Sequence, residues 1–190
     1  MISIDYIRKE NSMDNNIRGF EIVSTYEKED IQLPKRATKG SAGYDLAASK
    51  CIVIPSIWNI LMKNSGLARM QSGDSLEENS EFLKSTLVPT GVKAYMPENE
   101  FLMLVNRSSN PLKNHLSLPN GIGIIDADYY NNENNEGEIF VQLINYGLED
   151  YTVKKGDRIA QGIFMPYQTI DGESNILKER TGGFGSSGKS

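Results

Sequence analysis

The 190-residue sequence has a single cysteine, a single histidine and no long apolar run. The lone Cys51 excludes an internal disulfide framework and a multi-thiolate metal site. The lone His115 excludes a zinc site of the HExxH type, and its polar loop indicates a surface histidine. The longest apolar runs, 51–54 and 101–105, fall far short of the roughly 20 residues that span a bilayer. With a charged N-terminus where a signal peptide would be apolar, these absences predict a soluble, cytoplasmic protein without a membrane partner.

An excess of positive charge is also missing. The chain has 20 Lys and Arg against 25 Asp and Glu, a formal net charge of −5. General nucleic-acid binders carry a basic surplus, so we expect no nucleic-acid partner. If the ligand is an anion, a few placed cations, backbone amides or a metal that the ligand brings must supply the affinity.

What the sequence does contain is many short segments rich in branched and aromatic residues. Turn signals such as Lys155-Gly-Asp separate them. Short strands at near-regular spacing predict an all-β fold of the sandwich, barrel or jelly-roll type. The predicted strands are Phe20–Ser24, Ile52–Ile54, Leu87–Ala94, Phe101–Asn106, Gly121–Ile125, Glu138–Ile144 and Arg158–Met165.

Three stretches differ from this pattern and suggest the domain organisation. Residues 1–17 are polar and indicate a loosely ordered extension of a single β domain over 18–179. Residues 57–85 resemble an insertion, with one short helix predicted around Ser75–Leu83, because Ser75 and Glu78 have capping-box spacing. Residues 180–190 are too glycine-rich for regular structure and predict a flexible arm.

The arm matches two phosphate-binding patterns. Its last eight residues, Gly183 to Ser190, satisfy GxxxxGK[ST], and its glycines also satisfy GxGxxG. Both patterns work at the start of a helix that follows a strand, and here no such helix can follow. The arm can still wrap an anion with its amides, and Arg180 and Phe184 add a charge and a ring for stacking.

Two further segments carry candidate chemistry. Asp126 and Asp128 stand two residues apart just after the predicted strand Gly121–Ile125. If the chain stays extended through them, both lie on one face, where a carboxylate can deprotonate a water. An ordinary strand end is the equally weighted alternative, since aspartate favours turns. Arg158 and Gln161 stand three apart on another predicted strand. In a regular strand they face opposite sides, so we expect at most one to point into a common site.

The order of the motifs is far more specific than any one of them. Together they resemble the five motifs of the trimeric dUTP pyrophosphatases (dUTPases), in the style of Gram-positive bacterial and phage members. The resemblance runs from about Arg18 to the end and omits 57–85. Its motifs are Ala42-Gly-Tyr-Asp45, Arg107-Ser-Ser109, Gly123-Ile-Ile-Asp-Ala-Asp-Tyr129, Gly156-Asp-Arg-Ile-Ala-Gln161 and Arg180-Thr-Gly-Gly-Phe-Gly-Ser-Ser-Gly188.

The resemblance implies a distorted β jelly roll or barrel that forms a homotrimer, with active sites shared between chains. It implies that Asp126 activates the water that attacks the α-phosphorus of dUTP, and that Tyr129 packs on the deoxyribose. Mg²⁺ is the implied cofactor, and Asp45 is expected to meet it through water. The other implied substrate-binding residues are Arg107, Ser108, Ser109 and Gln161 for phosphate, Asn120, Gly123, Ile124 and Ile125 for uracil, and Arg180, Phe184, Gly185, Ser186 and Ser187 in a closing arm.

The sequence departs from the family pattern at two places. Ser109 stands where the second motif usually has glycine. After Tyr129 the family often has one residue and a glycine, whereas this chain continues through a polar loop to Gly137. Neither departure removes a residue that the implied chemistry needs.

Two alternatives remain at this stage. A dCTP deaminase has the same fold and Arg-Ser-Ser in its second motif, but Asp126 and Tyr129 favour the dUTPase. A binding or regulatory module would retain the fold and use 57–85 to dock a partner protein. The intact Asp126, Arg180 and Phe184 argue against a loss of catalysis.

Overall fold

The computed structural model describes residues 16–63 and 85–172. It has twelve short strands within those ranges and little helix, which confirms the predicted all-β, jelly-roll-like class. The strands are β1 Gly19–Ile22, β2 Lys35–Arg36, β3 Tyr44–Ala47, β4 Ile52–Ile54, β5 Thr86–Pro89, β6 Val92–Tyr95, β7 Glu100–Val105, β8 Leu116–Ser117, β9 Gly123–Asp126, β10 Phe140–Asn145, β11 Tyr151–Val153 and β12 Arg158–Pro166.

The strands pair antiparallel into four small sheets. The largest has the order β2-β3-β12-β7-β9, and it contains every strand that bears a predicted site residue. The others are β5-β10-β8, β1-β6 and β11-β4. Antiparallel pairs of this kind are expected for a jelly roll, whereas a doubly wound sheet is mostly parallel.

Alternation along the strands builds one core. In β10 the burial pattern strictly alternates, with Val141 and Leu143 buried and Gln142 and Ile144 half-buried. Side chains at every second position point to the same face of a sheet, so such strands cover a common interior. The largest fully buried members are Leu46, Ile54, Leu102, Leu116, Ile139, Leu143 and Ile159.

Two predicted elements differ from the structure. The single strand expected over Leu87–Ala94 is two strands, β5 and β6, because the chain turns at Thr90-Gly91, where Gly91 has a φ of +70°. A short helix, α1, spans Ile57–Lys63 and was not predicted. The helix predicted around Ser75–Leu83 lies outside the described residues. Along the described ranges no helix is long and apolar enough to cross a membrane.

Candidate functional site

The buried carboxylate of Asp45 is the centre of the candidate phosphate site. Asp45 lies on β3, and its side chain is 7% exposed. Its Oδ1 accepts hydrogen bonds from Arg107 Nε at 3.0 Å and Gln161 Nε2 at 3.2 Å, and its Oδ2 accepts one from Arg158 Nη1 at 3.0 Å. We name Asp45, Arg107, Arg158 and Gln161 the Asp45 cluster.

Arg107 is held from several sides. It follows β7 directly, where the chain leaves the sheet for a π-helical turn over Asn110–Asn114. Besides its bond to Asp45, its Nη1 donates to the Arg158 carbonyl at 3.2 Å and to Ser109 Oγ at 3.5 Å. Ser109 thus contacts the arginine of its own motif, while Ser108 is exposed.

The expectation that Arg158 and Gln161 face opposite sides is wrong. Both side chains reach Asp45, because β12 has a bulge against β3: Arg158 pairs with Ala47, while Ala160 already pairs with Leu46. The extra residue, Ile159, shifts the alternation by one position, so residues three apart return to the same face. Gly43 permits the close approach, since a Cβ there would lie 3.1 Å from Gln161 Cβ.

The charges of the Asp45 cluster favour an anion. Two guanidinium groups face one carboxylate, and each guanidinium has more donors than the cluster uses. Arg158 is 55% exposed, and both arginines border a cleft of about 270 Å³ that Asn110 and Gly156 also line. Carboxylate and phosphate oxygens are the ligands that such forked donors bind, so a phosphate fits the donors that the cluster does not use.

The predicted base-reading segment forms the turn from β8 to β9. Asn120 is exposed, and its carbonyl accepts from the Ile122 amide at 2.8 Å. Gly121 has a φ of +73°, which glycine adopts without strain. In β9, Ile124 is exposed and Ile125 is buried, so only the backbone and alternate side chains of this segment face outward.

Asp126 is the last residue of β9, and a 3₁₀ turn over Ala127–Tyr129 follows it. The interpretation that places Asp126 and Asp128 on one strand face is therefore wrong, and the structure shows the equally weighted alternative, a strand that ends before Asp128. Asp126 is partly buried and Asp128 is exposed. The abrupt end of the strand separates the two carboxylates and turns the chain inward at Tyr129.

Tyr129 is 4% exposed, and its hydroxyl is fixed from two sides. It donates to the Glu138 carbonyl at 3.0 Å and accepts from Asn135 Nδ2 at 2.8 Å. Burial raises the pKa of the neighbouring Glu138 carboxyl, although the Gly91 amide donates to it at 3.1 Å. For Tyr130, burial and then the hydrogen bond to Glu21 raise the pKa to about 12.

The structure does not bring Asp126 and the Asp45 cluster together within one chain. Asp45 and Gln161 form one row across the central sheet with Val105, whereas Asp126 pairs with Phe101, four residues back along β7. Three strand spacings and four residues of rise place Asp45 and Asp126 about 20 Å apart. The predicted arm residues Arg180, Phe184, Gly185, Ser186 and Ser187 lie outside the described residues.

The described residues contain no group of three or more His, Cys, Asp or Glu that could hold a metal ion. In the Asp45 cluster both carboxylate oxygens accept hydrogen bonds from cationic or amide side chains. The water-mediated contact of Asp45 with Mg²⁺ stays a prediction.

Comparison with known proteins decides the family. The dUTPase family model matches residues 79–188. The chain belongs to the dUTPase family. It is 43% identical over 173 residues to the deoxyuridine 5′-triphosphate nucleotidohydrolase of Lactococcus lactis subsp. lactis (strain IL1403), covering 90% of this chain and 98% of that relative.

Solved dUTPase structures share the fold. The crystal structure of dUTPase from Streptococcus mutans superposes with a TM-score of 0.64 at 42% identity, covering 81% of this chain and 99% of that one. A mutant dUTPase from phage phi11 of S. aureus, described with a structural Mg(II) ion, has a TM-score of 0.57 at 18% identity, covering 81% and 93%. The second likeness concerns the fold alone.

Two groups of residues in this dUTPase-family chain are not predicted from the sequence as parts of the site. Regular alternation places Arg158 and Gln161 on opposite faces of the strand, so the sequence does not predict Arg158 as a site residue. No residue type in the strand indicates the bulge. For Asn132 and Asn135 the sequence predicts only a position in a polar loop. Their spacing, an Asx residue followed by turn formers, was the available signal.

Proposed function

We propose that this protein is a dUTP diphosphatase that hydrolyses dUTP to dUMP and pyrophosphate. The Asp45 cluster is the observation that carries the proposal. In a chain of net charge −5, it concentrates two arginines and a glutamine around one buried carboxylate. That is the few-cation site an acidic protein needs to bind a triphosphate.

The proposed reaction is attack by water on the α-phosphorus. Asp126 accepts the proton of the water as its oxygen bonds to phosphorus, the bond to the bridging oxygen of the β-phosphate breaks, and pyrophosphate leaves. A positioned carboxylate contributes about 10²- to 10⁴-fold to such a step. The donors of Arg107 and Arg158 that the Asp45 cluster does not use stabilise the charge that develops on the phosphates.

Base and sugar are selected at the other end of the sheet. The turn at Asn120 and the outward backbone of Gly123–Ile125 supply hydrogen bonds for the uracil edge, and a base with a different edge leaves them unpaired. Tyr129 packs on the deoxyribose. Its ring is buried and its hydroxyl is already bonded, so it offers an apolar edge that rejects a ribose 2′-hydroxyl.

We further propose that the enzyme is a homotrimer with sites built from several chains. The base that activates water and the cations that bind the same phosphates must lie within a few ångströms of one another. Within one chain Asp45 and Asp126 are about 20 Å apart. A second copy supplies the missing half, and the arm of residues 180–190 closes over the ligand to exclude water.

Mg²⁺ is the proposed cofactor. It keeps several waters and binds substrate phosphates in preference to a protein cage, which fits a site with one carboxylate already engaged by two arginines. When bound to the triphosphate, the ion neutralises charge on the phosphates and the leaving pyrophosphate. We propose Asp45 as the residue that meets the ion through water.

The dUMP formed would feed dTTP synthesis, and removal of dUTP would limit uracil in DNA. The cytoplasmic location and a regulatory partner at 57–85 stay predictions, and residues 64–84 lie outside the described ranges.

The test is pyrophosphate release from dUTP with Mg²⁺, run beside dCTP, dTTP and UTP, with ammonia followed from dCTP. Pyrophosphate from dUTP alone is the expected result. Ammonia from dCTP would replace the proposal with a deaminase, and a folded protein inactive on every substrate would favour a binding module.

A further inference from the structure

The loop from Tyr130 to Gly137 is where this chain departs from the short dUTPase pattern, and asparagine side chains hold it together. Asn132 is 7% exposed. Its Oδ1 accepts from the amides of Asn134 and Asn135, at 3.0 and 3.3 Å, and its Nδ2 donates to the Tyr129 carbonyl at 2.9 Å. The loop is thus folded back onto the residue it follows.

Asn135 joins this folded loop to the phenol of Tyr129. Its Oδ1 accepts from Asn132 Nδ2 at 2.8 Å and from the Gly137 amide at 3.1 Å, so the amide group has a fixed orientation. Its Nδ2 donates to the Tyr129 hydroxyl at 2.8 Å. The same Nδ2 also donates to the Glu138 carbonyl at 3.4 Å. The oxygen therefore serves the loop, and the nitrogen serves the tyrosine and the carbonyl to which the tyrosine is bonded.

The outer side of the loop is anchored to β6 and to Ser24, which lies two residues after the end of β1. Lys93, 8% exposed, donates to Asn131 Oδ1 at 2.5 Å and contacts Glu136 Oε2 at 3.4 Å. Glu136 also accepts from the hydroxyl of Ser24. Asn131 and Glu136 have φ values of +56° and +57°, an uncommon conformation that these contacts stabilise.

We propose that Asn135, supported by Asn132, is a positioning residue that fixes the Tyr129 ring and thereby sets how strongly the enzyme rejects a ribose. The inference rests on the proposed function, in which Tyr129 packs on the sugar. Rejection of one added hydroxyl requires a wall that does not move, and a wall is rigid only when the residues behind it are themselves bonded. Asn135 contacts the tyrosine, and its proposed effect on the substrate acts through that ring.

The test measures kcat/KM for dUTP and for UTP in wild type, Asn135→Asp, Tyr129→Phe and the double variant. Asn135→Asp keeps the oxygen that serves the loop and replaces the nitrogen by an acceptor, so the Tyr129 hydroxyl no longer accepts from residue 135 while it donates to the Glu138 carbonyl. Loss of one hydrogen bond of ordinary strength corresponds to about a tenfold change, so we expect the preference for dUTP over UTP to fall about tenfold. Turnover of dUTP itself should change less than the preference does.

Tyr129→Phe deletes this bond and also the bond from the hydroxyl to the Glu138 carbonyl, so it should reduce the preference at least as much. The double variant should show no further loss beyond Tyr129→Phe, because the bond from Asn135 is already absent there. Asn134→Asp, in the same loop, is the charge-matched control and should keep the wild-type preference. Melting temperatures of all variants identify one that fails to fold, and Tyr129→Phe then carries the comparison.

Two results would overturn the inference while leaving the proposed function intact: a selective wild type whose Asn135→Asp variant keeps its selectivity, or losses that add fully in the double variant. An equal loss in Asn134→Asp would also overturn it, since charge alone would be responsible. A wild type that does not hydrolyse dUTP would contradict the proposed function itself.

Discussion

The two ends of the central sheet are built by different means. The Asp45 cluster is held by charged hydrogen bonds from two arginines and a glutamine to one carboxylate. The region of Asp126 and Tyr129 is held by a strand end, a 3₁₀ turn and neutral amide bonds. In the proposed reaction the first end binds phosphate, which needs surplus cations, and the second end selects the sugar, which needs a fixed apolar wall. Four predictions, in order of expected size, test this division of labour.

The largest effect should come from Asp126→Asn. Without the carboxylate the proposed acceptor of the water's proton is missing, so kcat for dUTP should fall by about 10²- to 10⁴-fold. Binding of dUTP with Mg²⁺, measured by calorimetry, should stay nearly intact. Asp128→Asn, two residues on and exposed, is the matched control and should keep most of the turnover. Normal turnover by Asp126→Asn would refute the assignment of the base.

A backbone change should disrupt the Tyr129 end next most strongly. Gly137 has a φ of +81°, and a Cβ there would lie 2.5 Å from the Tyr129 carbonyl oxygen. Gly137→Ala adds a clash to the strain, so we expect it to lower the free energy of unfolding by about 3 kcal/mol. Gly156, with a φ of +87° and nothing within 4 Å of such a Cβ, is the control.

Gly156→Ala should cost only about 1 kcal/mol, the strain alone. Chemical denaturation of both variants makes the comparison. Equal losses would mean that the close approach of Gly137 to Tyr129 has no energetic weight.

Removing the charge of Asp45 should be next. Asp45→Asn leaves two guanidinium groups facing each other with a weaker acceptor, and hydrogen bonds to charged groups are worth about 1.5–3 kcal/mol. Because Arg158 is largely exposed, water screens part of this interaction. We therefore expect the free energy of unfolding, measured by chemical denaturation, to fall by about 2 kcal/mol. The KM for dUTP should rise as well, since the arginines lose their orientation.

Glu29→Gln is the matched control for Asp45→Asn, because Glu29 pairs with Lys155 at 2.8 Å while both side chains are exposed. Exposed pairs contribute little, so its melting temperature should stay close to wild type. If both variants lost equally little stability, the burial of Asp45 would have no role in organising the Asp45 cluster.

The smallest effects should appear in the pH dependence of two carboxylates near Tyr129 and Asp126. The hydrogen bonds from Arg18 lower the pKa of Glu100, so its stabilisation is present above the unfolded pKa and is lost as pH falls through the folded one. Burial raises the pKa of Glu138, so its contribution is lost as pH rises through the folded pKa.

Melting temperatures of Glu100→Gln and Glu138→Gln against wild type, followed from about pH 7 to pH 3, measure these opposite trends. The small deficit of Glu100→Gln should shrink toward acid pH. The melting temperature of Glu138→Gln, relative to that of wild type, should be higher at the upper end of this pH range than at the lower end. Parallel trends in the two variants would contradict the assigned causes.

Much of the fold was predictable because alternation and turn residues act locally. The strand at Ile52–Ile54 and the start of β12 at Arg158 lie where the pattern placed them. The bulge in β12 was not predictable, because it depends on how Ile159 packs against β3 and not on the residues of β12 alone. The site residues Asp45, Arg107 and Gln161 were named from motif order, but their mutual contacts required the sheet register.

The central claim is that one active site needs both ends of the sheet from different chains. It is tested by mixing two variants that each lack one residue of the proposed site, Asp126→Asn and Arg107→Ala, unfolding them together and refolding. If Asp126 and Arg107 of each site come from different chains of a trimer, about one quarter of the sites in randomly mixed assemblies contain both native residues. The mixture should then regain dUTP hydrolysis that neither variant shows alone. A mixture that refolds into mixed trimers and stays inactive would contradict the account.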